Sequence, residues 1–298
     1  MGARSNPAED SERSAAKHEG RQKDRICVKG RARLTPELLM IDIHCHPLSG
    51  VDDGPRSFEI SVEMCRIAAA DGITHLVATP HSNYEYPYNA EANRTKLAEL
   101  QAAIGDVPKL LLGCDFHLSY ENIQQAVEGR TQFTINGTHY LLVELGEQFI
   151  PEQIDRVFYE IQCADLIPIL THPERHPLLQ RRPELLYHWV TRGCLVQVTA
   201  KSYTGGFGRR AQRFSEQWLE QNLIHFFASD AHDPRYRPPI LSECYRKVEE
   251  TRGKEVAELL LEENPRAAIE GRPLASTWEP IEPRLLKRKR RWFSFLGG

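Results

Sequence analysis

The chain has 298 residues, 41% of them hydrophobic and 27% charged, with a net charge of −3; these are the proportions of a globular chain large enough to bury a substantial core. The apolar runs fall far short of the roughly 20 residues that cross a bilayer, and the charged N-terminus lacks the apolar segment of a secretory leader. The charge balance gives no general reason to expect nucleic acid as a partner.

Residues 1–38 are polar, mixed in charge and without apolar periodicity, so we expect a disordered extension. Met40 stands directly before the first strand candidate, which also admits a translation start there. From that point short β-prone runs alternate with amphipathic stretches. Strands are predicted at 41–44, 74–79, 110–113, 140–145, 167–170, 195–199 and 225–229. Helices are predicted between and after them at 57–71, 90–103, 152–164, 183–192, 209–222 and 240–251. Seven strands alternating with helices imply a parallel sheet, open or closed, and residues 39–275 suit a single (β/α) barrel domain. Asn264-Pro265 as a cap and Gly271 bracket a last short helix.

Residues 276–298 form a basic-aromatic tail, in which Arg284, Lys287, Arg288, Lys289, Arg290 and Arg291 stand beside Trp292, Phe293 and Phe295. The plain reading is a solvated basic tail; the sharper one is weak contact of residues 284–298 with an anionic membrane surface. Seven cysteines, scattered at 27, 45, 65, 114, 163, 194 and 244 without a C-x-x-C pair, argue against a disulfide framework and for reduced thiols in the cytoplasm.

Histidines and carboxylates recur where the predicted strands end. The first strand closes on His44-Cys45-His46, and residues i and i+2 of a strand share a face, so both imidazoles point to one site and Cys45 away. The second ends at Thr79-Pro80-His81, the third at Gly113-Cys114-Asp115, the fifth at Thr171-His172-Pro173-Glu174-Arg175 and the seventh at Ser229-Asp230-Ala231-His232. Asp52-Asp53-Gly54 follows the first histidine pair. In a parallel barrel all strand C-termini lie on one face, where active sites form. The convergent set is His44, His46, Asp53, His81, Asp115, His172, Asp230 and His232. It offers N and O donors and no thiolate, which suits Mn, Fe or Zn, and it exceeds what one tetrahedral zinc needs. Two or three divalent ions fit better; such a cluster holds a hydroxide nucleophile at neutral pH and clamps a phosphate in line.

At these residues the sequence resembles the polymerase and histidinol phosphatase (PHP) superfamily. More narrowly it is similar to the capsule-locus bacterial protein-tyrosine phosphatases of the CpsB and YwqE type. The carrying segments are Met40-Ile-Asp-Ile-His-Cys-His, Val51-Asp-Asp-Gly, Ala78-Thr-Pro-His, Thr171-His-Pro-Glu-Arg, Ala228-Ser-Asp-Ala-His and Arg237-Pro-Pro. The resemblance implies a distorted seven-stranded (β/α) barrel of the PHP type with a multinuclear metal site, Mn2+ first with Fe or Zn as alternatives. It implies that His44, His46, Asp53, His81, His172, Asp230 and His232 are ligands and that Arg175 and Arg237 hold phosphate, Arg175, Asp230 and His232 serving catalysis. One departure is Asp115, which stands where the family has a bridging glutamate; His117, two residues on, is a candidate assistant. The implied reaction is hydrolysis of phosphotyrosine by a metal-bound hydroxide. The implied substrate is the tail of a bacterial tyrosine kinase controlling capsule or exopolysaccharide synthesis, and an oligomer is compatible with this reading.

Two alternatives stay open: a PHP-type small-molecule phosphatase acting, for example, on histidinol phosphate, and a non-catalytic metal-binding regulator suggested by Asp115. Cys27 and Arg33 match the C-x5-R spacing of cysteine-dependent phosphatases, but that chemistry needs a thiolate in a rigid anion-binding loop, and this stretch lies in the expected extension. Gly205-Gly206-Phe207-Gly208 lacks the spacing of a phosphate-binding glycine fingerprint and reads as a flexible loop near the barrel mouth. Tyr84, Tyr86 and Tyr88 are candidates to line that mouth.

Overall fold

The computed structural model describes residues 38–118, 123–124, 128–129, 131–146, 150–274 and 278–282. The expected extension up to residue 37, the C-x5-R stretch and the tail from residue 283 lie outside them. The described strands are β1 (Met40–Cys45), β2 (Ile73–Ala78), β3 (His81–Ser82), β4 (Lys109–Leu112), β5 (Asp115–His117), β6 (Tyr140–Glu144), β7 (Ile167–Thr171), β8 (Leu195–Thr199) and β9 (Phe226–Ala228). They alternate with α1 (Phe58–Ala70), α2 (Ala90–Ile104), α3 (Ile154–Cys163), α4 (Pro177–Arg181), α5 (Glu184–Val190), α6 (Ala200–Thr204) and α7 (Gly208–Glu220). After β9 come α8 (Ser242–Arg252), α9 (Lys254–Glu258), a π turn at Leu259–Glu263 and α10 (Asn264–Glu270).

All pairing is parallel, in a three-stranded sheet of order β1-β2-β4 and a six-stranded sheet of order β3-β5-β6-β7-β8-β9. Seven expected strands thus become nine in two sheets, because two of them break where they were predicted to end. Pro80 has no N–H to donate to a ladder and separates β2 from β3. At Gly113 a Cβ would press to 3.0 Å from Val77, and after Gly113 and Cys114 the chain enters β5. The sheets meet again at the other edge, where Cys45 bridges Ala231 and backbone bonds run from Asp230 N–H to His44 O and from His46 N–H to Ala231 O, each 2.8 Å.

Alternation along the strands sorts the core. Ile41, Ile43, Val77, Leu111, Tyr140, Leu142, Ile169, Leu195, Phe226 and Ala228 fill the space enclosed by the strands. A larger cluster, including Met64, Cys65, Phe158, Trp189 and Trp218, joins the helices to the outer faces. Full burial of such side chains contributes about 1.5–3 kcal/mol each. Asn264 does not cap the last helix: its backbone is helical and continues the π turn, while its side-chain N–H donates to His225 O at 3.0 Å. Five of the six described cysteines are buried, only Cys163 is exposed, and all six are free.

Candidate metal centre

Each inward-facing row of side chains turns from apolar to polar at the C-terminal end of its strand. On β6, Tyr140 and Leu142 are followed two residues on by Glu144. On β7, Ile169 is followed by Thr171; on β8, Leu195 by Gln197; and past β9, Ala228 by Asp230. On β1 the alternation would have sent His44 outward, since Ile41 and Ile43 already face the interior. A register irregularity between Asp42 and Cys45 shifts the phase, as bulges do. His44 and His46 therefore turn inward, with their Nε2 atoms 3.2 Å apart, and Cys45 packs in the outer cluster.

The eight side chains singled out in the sequence all converge here. Three overlapping groups have donor atoms within 4.8 Å of one another: His46, Asp53, His81 and His232; His44, His46 and Asp115; and His81, Asp115 and Glu144. Asp115 Oδ2 lies 3.4 Å from both His44 Nε2 and His81 Nδ1 and 3.9 Å from His172 Nε2. Asp230 Oδ1 lies 3.5 Å from His44 Nε2 and 3.7 Å from His46 Nε2, and its Oδ2 accepts from Arg175 at 2.5 Å and Arg237 at 2.7 Å. His117 belongs to none of the three groups. The backbone is left-handed at His172 (φ 34°) and Asp230 (φ 51°), which costs about 1–3 kcal/mol per non-glycine residue; both bends come just after strand ends and place polar side chains in the site.

Three contributors were not singled out in the sequence. Glu144 reaches His81 Nδ1 at 3.5 Å and His172 Nε2 at 3.4 Å; its place at the end of the fourth predicted strand, in phase with Tyr140 and Leu142, was the available signal. Asp52 accepts from His46 Nδ1 at 2.7 Å and from the His81 amide at 3.1 Å, and Gln197 Oε1 lies 3.0 Å from His44 Nδ1. These partners hold the Nδ1 protons, so that each Nε2 lone pair faces the site, as metal-ligating imidazoles require. No local pattern announces Gln197, 153 residues away from His44.

The electrostatics favour positive charge in the centre. Burial opposes ionisation of His81, but Asp53, Asp115 and Glu144 outweigh it and lift the pKa to about 10. Burial and Arg175 oppose it at His172, yet Asp115 and Glu144 lift that imidazole to about 9. His46 goes the other way, lowered to about 3 by burial with His232 beside it. Despite burial, Asp115 is held well below the usual carboxylate range by His44 and His172, and Asp230 by Arg175 and His44. His81 Nδ1 and Asp115 Oδ2 are buried without a hydrogen-bond partner. Orphaned inward donors among clustered carboxylates fit divalent cations, and the N/O donor set suits Mn, Fe or Zn.

Above the cluster opens a cavity of about 510 Å³ whose lining includes Asp53, His81, Glu144, His172, Arg175 and Arg237. Of the three candidate tyrosines, Tyr86 reaches the rim, stacked 6.1 Å from His81. Tyr84 is fully exposed. Tyr88 is a packing residue, against Phe133 at 5.2 Å with its hydroxyl donating to Gly113 O.

A parallel α/β scaffold carrying a histidine-carboxylate cluster under an arginine-lined cavity defines a class of metal-binding hydrolase-like proteins. The chain belongs to the CpsB/CapC family of capsular polysaccharide synthesis, whose model matches residues 40–270. It is 36% identical over 226 residues to the tyrosine-protein phosphatase YwqE of Bacillus subtilis, covering 75% of this chain and 89% of that one. It is 27% identical over 239 residues to the tyrosine-protein phosphatase CpsB of Streptococcus agalactiae, covering 77% and 98%. A solved structure from work on YwqE of Bacillus subtilis and CpsB of Streptococcus pneumoniae, described as unique metal-dependent tyrosine phosphatases, superposes with TM-score 0.75 at 34% identity. It covers 82% of this chain and all of that one. A β-aspartyl dipeptidase from Fervidobacterium islandicum shares the fold alone, at TM-score 0.52 and 14% identity.

Proposed function

We propose that this protein is a metal-dependent protein-tyrosine phosphatase. The observation that carries the reading is the juxtaposition of the three overlapping donor groups with Arg175 and Arg237 around one cavity. His44, His46, Asp53, His81, Asp115, Glu144, His172, Asp230 and His232 would hold two or three divalent ions, Mn2+ first. Ions bound there supply a water acidic enough to be the nucleophile at neutral pH and neutralise phosphate charge.

The chain's own side chains do the rest. Arg175 and Arg237 present guanidinium forks matched to phosphate oxygens; both now meet Asp230 Oδ2, and each has a buried Nε without a partner. They bind the equatorial oxygens and neutralise the charge these carry in substrate and transition state alike. Asp52 and Gln197 fix the ring orientations of His46 and His44. The leaving phenol has a pKa of about 10, so it departs with little help from a general acid, and Tyr86 at the rim offers its ring a stacking partner.

Membership of a capsule-synthesis family supports a phosphotyrosine protein of that machinery, such as the tail of a bacterial tyrosine kinase, as substrate. Among the described residues no helix is long and apolar enough to cross a membrane; we place the protein in the cytoplasm, with residues 284–298 as a basic contact to the membrane's inner face. The test is turnover of p-nitrophenyl phosphate and of phosphotyrosine peptides against histidinol phosphate. Activity should vanish in EDTA, return with Mn2+ and favour the peptides. Absence of turnover with every divalent ion would sink the catalytic reading, and preference for histidinol phosphate would sink the protein substrate.

A further inference from the structure

Gly205-Gly206-Phe207-Gly208 joins α6 to α7, and the mechanism above gives it no part. It forms a compact turn: the N–H of Gly205 donates to Ser202 O at 3.1 Å, that of Gly206 to Lys201 O at 2.8 Å and that of Gly208 to Gly205 O at 3.0 Å. Gly205 (φ 100°) and Gly208 (φ 88°) occupy the region open to glycine. A turn of three glycines presents a single side chain, and that side chain is a phenyl ring.

The Phe207 ring gathers three cations. Its centroid lies 4.9 Å from Arg175 Cζ, 5.7 Å from Arg237 Cζ and 5.8 Å from Lys201 Nζ, all inside the distance at which a ring quadrupole attracts a cation. Arg175 follows β7 and Arg237 follows β9, so nothing in the local chain brings them together. Asp230 Oδ2 holds each by one Nη2, and the two guanidiniums repel one another.

We infer that Phe207 is a positioning residue for phosphate recognition, its ring holding the guanidiniums of Arg175 and Arg237 side by side before the phosphate arrives. This rests on the reading of those arginines as the phosphate-binding pair. A phenyl face suits the task because it attracts cations without offering an acceptor that competes with phosphate oxygens for N–H donors. Ordering two long side chains in advance lowers the entropy lost on binding. Contact with the arginines alone strengthens substrate and transition state alike, so the effect falls on KM and spares kcat.

The experiment measures KM and kcat for p-nitrophenyl phosphate, and the inhibition constant of inorganic phosphate, in the Mn2+-loaded protein. Phe207→Leu should raise KM and the phosphate inhibition constant together by about tenfold, the scale of two cation–π contacts, with kcat within about twofold. Phe207→Tyr should restore both, and Phe207→Met, which keeps apolar bulk without a ring, should repeat the leucine result and serves if Phe207→Leu is insoluble. Arg237→Gln controls for the underlying reading. If Arg237→Gln weakens phosphate inhibition while Phe207→Leu and Phe207→Met leave it at the wild-type value, Phe207 has no positioning role. If Arg237→Gln itself leaves phosphate inhibition unchanged, the phosphate-binding assignment fails first.

Discussion

Replacing Asp52 by asparagine perturbs the centre without removing a ligand. Asp52 Oδ2 accepts from both His46 Nδ1 at 2.7 Å and the His81 amide at 3.1 Å, while Oδ1 accepts from the Gly54 amide at 3.1 Å. Asparagine has one acceptor oxygen in place of two. With that oxygen toward His46, its NH2 group faces the Gly54 donor; flipped, NH2 meets His46 Nδ1 and drives the proton onto Nε2, closing that ligand atom. Either way one hydrogen bond to a charged group is lost, worth about 1.5–3 kcal/mol. Loss of such supporting partners lowers metal affinity roughly 10–100-fold, the same range once converted at about 1.4 kcal/mol per tenfold. Mn2+ titration of metal-stripped protein by calorimetry, beside p-nitrophenyl phosphate turnover against Mn2+ concentration, reads the effect. The activation midpoint should move up by that factor, and excess Mn2+ should recover most of the rate. A wild-type Mn2+ affinity in Asp52→Asn would refute the argument that Asp52 sets the His46 tautomer.

His44→Ala and Asp230→Ala should each reduce turnover by about 100- to 1,000-fold, the scale of lost charge-stabilising groups, while far-ultraviolet circular dichroism stays native; near-normal rates would remove them from the site. Glu144→Gln should lower the number of Mn2+ ions retained after dialysis, counted by elemental analysis, and an unchanged stoichiometry would make Glu144 a bystander. His225 probes stability away from the metal centre: burial lowers its pKa from 6.5 to about 4, and its Nδ1 accepts from Val196 N–H at 3.1 Å. The unfolded chain then binds the extra proton between those values, so stability is lost as pH falls from about 6.5 to 4, by about 3 kcal/mol at the lower end. The stability difference between wild type and His225→Asn, from urea melts, should shift against the wild type by that amount over this range; a pH-independent difference would contradict it.

The α/β alternation and the convergence of ligands were legible because period-2 runs, turns and strand-end polar residues are local signals. His44 and His46 could be assigned to one site from spacing alone, although the phase shift at Asp42–Cys45 that turns them inward could not. Glu144 was readable in principle, lying in phase with Tyr140 and Leu142, but a lone glutamate before Leu145-Gly146 carries no motif. Gln197 and Phe207 were different in kind, since their importance comes from His44 and the arginines, residues that only folding brings near. Both strand ends, before Pro80 and at Gly113, were legible, but the strands that resume after them, His81–Ser82 and Asp115–His117, are too short to carry a period-2 signal. Tyr88 and Asn264 show the converse: plausible local assignments, at the mouth and at a cap, overruled by tertiary partners.

The meeting of β1 with the Asp230 segment has a consequence for biosynthesis. His44 O waits for the amide of residue 230, and His46 N–H for the carbonyl of residue 231, so the first strand leaves the ribosome long before its last neighbour exists. Until then the nascent chain has an open sheet edge and only part of its donor set. Contacts of such sequence separation slow folding, and the donors at His44 and His46 meet those at Asp230 and His232 only after β9 has been made. An ion held by His46 and His232 would tie together segments 186 residues apart.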